Sequence, residues 1–509
     1  MDKPHVIFCR ILIKIKAGLL LSHLLRKDSE NCKSNNCVTL FDGRSDPRTN
    51  KLEGRAYALG VGIRGRTAIR TADPALWEAV KKRGYESERF KLHLGISDTK
   101  DLVIPLRSDS KPSKDSSSSS SIVEPSLLIY QSELCASLLE ELEEGQKDKN
   151  GFLEIHFDTR VMDCNLDTMT ITASAANTSS TDAEDTTTTT SEFGPFDLIV
   201  GCDGVNSRVR ASIDKMLPEF ATTRKKLPGF FKVVRLGYPV GATSEDGSEA
   251  YDPKAVSLLI PSGAFIEPTG EDGSCCILFS GRGSGGDDSN GDNDTSGLPL
   301  FLRETENTTA VTDALRTAFP RWKEESFRDI AEQLVAQSLE SNAAYSVTCN
   351  TYHYQDKAVL VGDAAHATGG VSGQGVNSAL VDAVVLSESL QHQHQLNLEG
   401  SLLAYSMQQV PEGRALYDLS FGPKPNGLKK KVFWGLKNAR DALFGGKLGI
   451  GEKTLQTRLS SELTSFAEIR RERDYFYVND DDDGPSFPSN HEFRRQLEAL
   501  HNIKKQAGR

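Results

Sequence analysis

Short apolar runs that end at Gly or Asp, each followed by a helical pattern of apolar positions, occur at intervals along the chain. Three are clear: Val38–Phe41, Phe196–Val200 and Ala358–Val361. Strands of a parallel sheet have this composition because helices cover both of their faces. The pattern therefore predicts an α/β fold with a buried parallel sheet.

A different pattern begins near Gly229, where β-type runs alternate with polar breaks. These runs predict a second, antiparallel sheet: Phe230–Leu236, Ala255–Ile260 and Cys275–Ser280. Residues Leu300–Gln337 and most of the chain after Leu402 have helical periodicity with Gly and Pro breaks.

Four polar, low-complexity segments interrupt these patterns and are predicted to be solvated, disordered insertions, because they contain too little apolar surface to bury a core. They lie at 110–121, 177–191, 281–297 and 479–490, and the last contains four consecutive aspartates. Acidic segments contribute to the net charge of -11, which argues against a nucleic-acid partner.

The 509 residues are enough for two or three domains of roughly 150 residues each. The nine cysteines lack paired metal-ligand spacing, so we expect reduced thiols, no metal site and an intracellular protein. Arg10, Lys14 and Lys16 interrupt the apolar N-terminus, and no run reaches the roughly 20 apolar residues of a spanning helix. We therefore expect no transmembrane helix and no secretory signal.

The most informative segment is Ala358–Asp382, with the sequence AVLVGDAAHATGGVSGQGVNSALVD. It predicts a buried strand, an acid at the strand exit (Asp363), a glycine-rich loop and an amphipathic helix. The acid can accept a hydrogen bond from a cofactor hydroxyl, and the glycines let the backbone approach a planar ring. The positive end of the helix dipole suits an anionic ring at the same place.

A second segment, Asp197–Arg210 (DLIVGCDGVNSRVR), also runs from an apolar strand into Asp203, Gly204 and a helix start. Arg208 stands where a cation could meet a phosphate. The alternative for Asp203 is a turn or helix-cap residue.

The string GDAAH followed by GQGxN, with DG upstream, resembles the FAD-dependent aromatic hydroxylase superfamily typified by p-hydroxybenzoate hydroxylase, and within it the kynurenine 3-monooxygenase-like branch. The resemblance covers most of Val38–Leu419. It implies that Asp203 and Gly204 touch FAD and, transiently, NADPH. It also implies that the ribityl chain and the isoalloxazine ring of FAD are held by Gly362, Asp363, Gly373, Gln374, Gly375, Val376 and Asn377. His366 is interpreted as structural rather than as a proton donor.

The family also has a GxGxxG fingerprint between its first strand and first helix, with a ribose-binding acid about 20 residues later. A helix is plausible at Ala17–Leu25, and Asp42 and Arg44 fit the acid and its flanking segment. Aligning Gly18 with the last glycine, however, places Ile13 and Ile15 at the first two.

Two explanations for this departure remain open. The protein has lost high-affinity FAD binding, or the segment Cys9–Lys16 is an error of gene modelling that replaces a glycine-rich turn. The second is favoured because both flanks fit the family.

Two further regions bear on cofactor and substrate binding. Gln131 stands where the family often has an arginine that contacts the flavin, and we retain it as a cofactor-binding position. Arg55, Arg64 and Arg66 could meet the cofactor or an acidic substrate, the alternative being solvated surface arginines. The arginine-rich string of kynurenine hydroxylases is not found around Leu92–Leu106, which argues against kynurenine itself as substrate.

The resemblance implies an FAD-dependent monooxygenase that uses NAD(P)H and O2 to hydroxylate a small aromatic substrate through a flavin C4a-hydroperoxide. FAD would carry the chemistry, so no catalytic protein residue is named. Two alternatives stay open: an epoxidase of the same superfamily, and a flavin-poor pseudoenzyme that acts as a binding protein.

The implied fold is α/β with α+β elements. A discontinuous Rossmann-like FAD domain (1–223 and 343–410) would carry an inserted antiparallel-sheet substrate domain (224–342) and a C-terminal helical extension (411–509). Within that extension, residues 424–440 hold six basic residues and no acid, interleaved with apolar ones. Such a helix could lie on an anionic membrane surface or pack on the catalytic domains, so we expect a cytoplasmic protein or one peripheral to an organelle membrane.

Overall fold

The structure is a computed structural model of the 509-residue chain. It describes residues 11–13, 15–32, 37–49, 57–87, 89–95, 103–107, 125–145, 153–175, 190–243, 250–260, 262–281, 297–303, 305–338, 343–391, 397–423, 428–444, 452–473 and 477. The predicted insertions at 110–121 and 479–490 lie outside the described residues, as do most of the other two. The insertion bounds 177–191 and 281–297 are too wide, because residues 190 and 191 begin a strand and residue 281 ends one.

Twenty strands are present among the described residues. In chain order they are β1 (Ile11–Ile13), β2 (Val38–Phe41), β3 (Ala58–Val61), β4 (Tyr85–Ser87), β5 (Arg89–His93), β6 (Val103–Arg107), β7 (Ser126–Tyr130), β8 (Leu153–His156), β9 (Thr159–Asn165), β10 (Thr170–Ala175), β11 (Thr190–Phe193), β12 (Leu198–Gly201), β13 (Thr222–Lys226), β14 (Phe230–Leu236), β15 (Ala255–Leu259), β16 (Ala264–Pro268), β17 (Cys275–Gly281), β18 (Tyr345–Cys349), β19 (His353–Tyr354) and β20 (Ala358–Leu360).

Twelve α-helices and three short 3-10 helices accompany the strands in the same part of the chain. The α-helices are α1 (Ile15–Cys32), α2 (Ile63–Ala72), α3 (Pro74–Lys81), α4 (Gln131–Glu144), α5 (Arg208–Met216), α6 (Thr308–Ala318), α7 (Glu324–Val335), α8 (Gly375–Gln391), α9 (Leu398–Phe421), α10 (Leu428–Phe444), α11 (Leu455–Ser461) and α12 (Phe466–Arg471). The 3-10 helices are Gly204–Asn206, Leu300–Leu302 and Gly362–Ala364.

The first sheet has the strand order β19-β20-β12-β1-β2-β8. All neighbouring pairs are parallel except β19 with β20. Every residue of β2, β12 and β20 is buried, as their continuous apolar runs predict. The α/β class with a parallel sheet is thus confirmed.

The N-terminal segment forms the centre of this sheet. β1 pairs with β2 on one side and with β12 on the other, and α1 begins at residue 15, two residues after the strand ends. The strand and the helix of the Rossmann pattern are therefore both present, although the glycines of the fingerprint are not. The helix is longer than the predicted Ala17–Leu25 at both ends.

The second sheet has the order β14-β17-β16-β15-β5-β6. It is antiparallel except where β5 pairs with β15 in parallel, and its last two strands precede residue 224 in the chain. The strands that 224–342 contributes are antiparallel to one another, as predicted, and β5 and β6 from before residue 224 extend the sheet. β5 is not connected to β15 by a hairpin, because it lies in the part of the chain before residue 224. Its direction is therefore not restricted to the antiparallel arrangement that a hairpin requires. Helices α6 and α7 cover one face of the sheet and share its core with Phe279, Phe319 and Trp322.

A two-stranded antiparallel ribbon, β13 with β18, stands where the chain enters and leaves the second sheet. Its strands lie beside the predicted domain limits at 223 and 343, which remain proposals.

The proposed limit at 410 falls inside α9, which is continuous through Pro411. The C-terminal extension therefore begins as part of a helix of the main body, and α11 and α12 pack back on α9 through Leu416, Leu459 and Phe466. No helix among the described residues combines the length and apolar character needed to cross a bilayer.

Candidate cofactor-binding site

The three predicted acidic residues lie along one edge of the first sheet. Asp42 directly follows β2, Asp203 follows β12 by one residue, and Asp363 lies just after β20. These strands are parallel, so their carboxyl ends share one edge, and β1 between β2 and β12 is where the chain changes direction across the sheet. Ligands of open α/β sheets bind in the crevice at such a point.

Asp42 is almost fully buried and is held by Arg44. Asp42 Oδ1 accepts hydrogen bonds from the Arg44 backbone N (2.8 Å) and Nε (3.2 Å), and Oδ2 accepts one from the Arg44 guanidinium (2.8 Å). A carboxylate offers about four acceptor positions, so one remains for a ribose hydroxyl. The pair therefore fixes the orientation of the acid.

Asp203 divides its two oxygens between two tasks. Oδ2 accepts hydrogen bonds from the backbone N of Arg208 (2.5 Å) and of Val209 (3.5 Å), which is the helix-cap role considered as the alternative. Oδ1 is buried and has no hydrogen-bond partner in the described part of the chain. A buried acceptor without a partner costs free energy, so it indicates a position that a ligand donor fills.

The turn after Asp203 is shaped by Gly204, whose φ of +74° favours glycine and whose Cα faces open space. The side chain of Arg208 is exposed. Arg210, which the sequence reasoning missed, is buried and donates hydrogen bonds to the carbonyls of Val205 (2.7 Å) and Ala364 (2.7 Å). Arg210 therefore connects the turn after Asp203 to the turn that contains Asp363. Its position next to Val209, on the buried side of α5, was the signal in the sequence that could have identified it.

The carboxylate of Asp363, in the turn Gly362–Ala364, is available to bind a ligand. Asp363 is exposed at the turn and makes no hydrogen bond or ion pair with the described residues. Gly362 has a φ of +62°, and a Cβ there would lie 2.8 Å from Ala379 Cβ, so only glycine fits between the strand and α8. Its backbone N donates to Asp382 Oδ2 at 2.9 Å.

His366 forms a buried pair with Asp382 behind this turn. The His366 Nε2 to Asp382 Oδ2 distance is 2.7 Å, and the two side chains are 4% and 0% exposed. Burial alone would lower the pKa of His366, but the adjacent carboxylate outweighs it and the pKa is raised. His366 therefore stabilises the turn through Asp382, in line with the structural role favoured from sequence.

The glycine-rich loop leads into α8. Gly373, with a φ of +66°, has open space where a side chain would stand. Gln374 and Val376 are buried, and Gly375 begins the helix. The main chain of this loop is thus free to approach a planar ring.

The side chain of Asn377 binds protein backbone instead of pointing at a ring. Its Oδ1 accepts from Gly62 N (2.9 Å) and its Nδ2 donates to Gly60 O (3.0 Å). The side chain therefore fastens α8 to the end of β3, and only its backbone remains for the predicted contact.

The remaining predicted cofactor positions occupy the ends of two helices. Gly18 is buried in the first turn of α1, and its carbonyl accepts a hydrogen bond from Ser22 Oγ at 2.8 Å. Gln131 is half-buried and is the first residue of α4, directly after β7.

The arginines predicted to meet the cofactor or an acidic substrate serve the fold instead. Arg64 donates to the carbonyls of Leu459 and Thr464, and burial lowers its pKa to about 10. Arg66 is buried, donates to Pro125 O and lies 5.2 Å from the Trp77 ring. Both are buried, so the alternative of solvated surface arginines is wrong for them, and each donates to backbone carbonyls; Arg55 lies outside the described residues.

The arrangement fits FAD at the ribityl and ring positions, since it offers an unpartnered buried acceptor, a second acid and open glycine backbone. At the pyrophosphate position the start of α1 supplies a helix N-terminus, but Ile13 and Ile15 replace the two glycines. Within the described residues, no cluster of His, Cys, Asp or Glu is arranged to hold a metal ion.

Comparison with known proteins agrees with this geometry. The model of an FAD binding domain family matches residues 292–420. Kynurenine 3-monooxygenase of Stenotrophomonas maltophilia is 25% identical over 413 residues, which cover 79% of this chain and 76% of the relative. The enzyme of the same name from Sus scrofa is 25% identical over 395 residues, covering 76% and 70%.

Solved structures show the same fold. 2-Methyl-3-hydroxypyridine-5-carboxylic acid oxygenase superposes with a TM-score of 0.55 at 17% identity, covering 81% of this chain and 89% of the other. Tetracycline destructase Tet(55) superposes with a TM-score of 0.50 at 13% identity, covering 99% and 98%. Strand order, acidic strand exits and sequence relatives agree: part of the chain matches an FAD binding domain family, the chain is similar in sequence to kynurenine 3-monooxygenases, and it shares the fold of FAD-dependent monooxygenases.

Proposed function

We propose that this protein is an FAD-dependent monooxygenase that uses NAD(P)H and O2 to hydroxylate a small aromatic substrate. One observation carries the proposal. The ends of the adjacent strands β12 and β20 present Asp203 with a buried unpartnered oxygen and Asp363 with no described partner, on either side of the Arg210 tie.

The protein's part is to bind and orient. Asp42, held by Arg44, would receive the adenosine ribose, and the start of α1 would receive the phosphates. Asp203 and Asp363 would accept hydrogen bonds from the ribityl side, and the backbone from residue 373 onward would lie along the ring. When bound, FAD supplies electron transfer and oxygen activation.

The test compares Asp363→Ala with Asp356→Ala. Asp356 is an exposed aspartate at the opposite end of β20, so the same change there leaves the crevice intact. A lost hydrogen bond to a charged group corresponds to roughly a 10- to 100-fold weaker FAD affinity for Asp363→Ala, and no change is expected for the control. Flavin absorbance after gel filtration measures retention, and fluorescence titration measures affinity.

The reaction is tested on the wild type. NAD(P)H oxidation that depends on an aromatic substrate, with one atom from 18O2 in the product, supports hydroxylation. Incorporation only into an isoprenoid panel would support the epoxidase, and failure to bind FAD at all would support the pseudoenzyme.

The helix α10 supports a second, separate proposal of peripheral membrane contact. Val432, Trp434 and Leu436 are 52%, 36% and 65% exposed. They follow three consecutive lysines at 429–431, and exposed apolar side chains beside basic ones suit an anionic lipid surface. An intracellular location likewise stays a prediction.

Sedimentation with phosphatidylserine-containing liposomes tests the membrane contact. Trp434→Ala should reduce the pelleted fraction several-fold relative to wild type, whereas Leu463→Ala, an exposed apolar residue outside α10, should not. Equal absence of all three proteins from the pellet would end the proposal.

A further inference from the structure

One edge of the second sheet is formed by β14, which pairs only with β17 among the described strands. Successive residues of an edge strand direct their backbone N–H and C=O groups alternately toward the neighbouring strand and away from the sheet. The outward groups can hydrogen-bond to a strand of another chain, so their partners decide whether the edge is open to such pairing.

Two glutamine side chains, from α7 and the residues just after it, bind the outward groups of β14. Val233 N donates to Gln337 Oε1 at 3.0 Å, and Gln337 Nε2 donates to Val233 O at 2.7 Å. Arg235 N donates to Gln333 Oε1 at 3.0 Å, and Gln333 Nε2 donates to Arg235 O at 2.9 Å. Each glutamine thus makes both of the hydrogen bonds that a residue of an antiparallel neighbouring strand would make.

The spacing of the two glutamines matches the spacing of the strand. Four residues of an α-helix rise about 6 Å, and two residues of a strand rise about 6.6 Å. Gln337 Nε2 also donates to the Gln333 carbonyl at 2.9 Å, which fixes the orientation of its amide. Two side-chain amides are therefore held in the register of a strand.

These contacts are separate from those that hold α7 on the sheet. The helix packs through apolar side chains such as Phe327, Ile330 and Leu334, which lie in the core of the second sheet. Gln333 and Gln337 are half-buried and lie outside this core. Packing of the helix does not require amide groups at the strand edge, so the glutamines point to a task at the edge itself.

Without this cover, β14 would suit pairing with a second copy of this chain. Its sequence, FFKVVRL, is rich in aromatic and β-branched residues and contains no Gly or Pro. When two copies meet about a two-fold axis at Val234, Val233 of one copy faces Arg235 of the other. The same two outward positions then satisfy each other, so the edge is self-complementary.

We propose that Gln333 and Gln337 close the β14 edge against strand pairing with a second copy of this chain. Their amides take the place of the next strand, so the backbone of Val233 and Arg235 is satisfied within the molecule and is not offered to a neighbour. The inference is independent of the proposed function, because these contacts involve none of the predicted cofactor positions.

Hydrogen exchange read by mass spectrometry at single-residue resolution tests the contacts one by one. Gln337→Ala should speed exchange of the Val233 amide roughly tenfold, as expected for the loss of one hydrogen bond, and should leave the Arg235 amide unchanged. Gln333→Ala should give the opposite pattern. The Val234 amide, which the alternation directs toward β17, should stay protected in both variants and so report that the sheet is folded.

Sedimentation velocity over a range of protein concentrations tests the self-association. The double variant Gln333→Ala with Gln337→Ala should reach about twice the wild-type mass at the highest concentration, as a symmetric pair requires. The amides of Val233 and Arg235 should become protected again as the mass rises, because the second copy then supplies their partners.

Two further double variants separate strand pairing from a general loss of stability. Arg328→Ala with Glu332→Ala removes an ion pair with the same spacing on the same helix, with side chains 81% and 54% exposed, and should keep the wild-type mass. Gln333→Glu with Gln337→Glu removes the same amide donors but adds charge at the edge, which disfavours a second strand. It should also keep the wild-type mass.

The proposal is wrong if the alanine double variant keeps the wild-type mass at every concentration, or if the glutamate double variant associates to the same extent. Free exchange of the Val233 and Arg235 amides in the wild type would equally overturn it. If the Val234 amide loses protection in the alanine double variant, the masses of the two single variants decide instead, and unchanged masses there contradict the proposal.

Discussion

Asp382 shows how one buried carboxylate sets the shape of a cofactor turn. Its Oδ2 accepts from Gly362 N at 2.9 Å and from His366 Nε2 at 2.7 Å, so strand exit, turn and helix α8 are joined at one atom. Its contribution depends on the charge of the histidine. Because the pKa of His366 is raised, the stabilisation is fully present below the pKa of the unfolded chain and is lost as pH rises through the folded value.

Asp382→Asn should therefore lower the free energy of unfolding by about 2–4 kcal/mol at pH 6, since it removes the charge that pairs with a buried imidazolium. The deficit should shrink as pH rises and His366 loses its proton. Urea denaturation at several pH values measures this, with Asp356→Asn as the exposed control. A deficit that is constant with pH would show that the histidine is neutral throughout.

Other residues of the site differ in how far sequence could locate them. Asp203 and Asp363 are recognisable because an acid after a buried strand is a local pattern. Arg210 is not, since it acts through its hydrogen bond to the carbonyl of Ala364, which is distant in the chain.

At the scale of elements, the N-terminus is the main surprise. A strand and a helix form around the altered fingerprint, because β branching and apolar character of Ile11–Ile13 suit a central strand and the following residues suit a helix. Architecture at this position is thus decided by hydrophobic pattern, whereas phosphate affinity depends on small residues at the turn.

The double change Ile13→Gly with Ile15→Gly should restore close backbone approach and raise FAD affinity on the order of tenfold or more, at some cost in helix and strand propensity. Fluorescence titration of wild type and variant measures it, with Ile11→Gly as a control that weakens the strand without opening the turn. Unchanged affinity would mean that the pyrophosphate does not bind at this helix.

At the scale of the whole molecule, the candidate site joins two sheets. The first sheet supplies the acids and glycine turns, the second reaches Tyr130 and Ala58, and α11 and α12 return to the first domain through Arg64.

FAD should accordingly stabilise the entire molecule, which should unfold in one transition with a higher midpoint temperature. At a free FAD concentration of 100 times Kd, the free energy of unfolding should rise by about 2.7 kcal/mol. Riboflavin at the same concentration should stabilise less, because it lacks the groups that Asp42 and the start of α1 would bind. Differential scanning calorimetry measures both. A shift confined to one of two resolved transitions would contradict the shared site.

By itself, the sequence determined the fold class, the parallel strands, the acidic strand exits and the resemblance to FAD-dependent aromatic hydroxylases, because these depend on residues close together in the chain. Tertiary structure decided what local patterns cannot contain. It brought β5 and β6 into the second sheet, and it turned the side chains of Arg64, Arg66 and Asn377 toward the backbone of other elements. The physical reason is that hydrogen bonding and burial depend on neighbours hundreds of residues away, which only packing brings together.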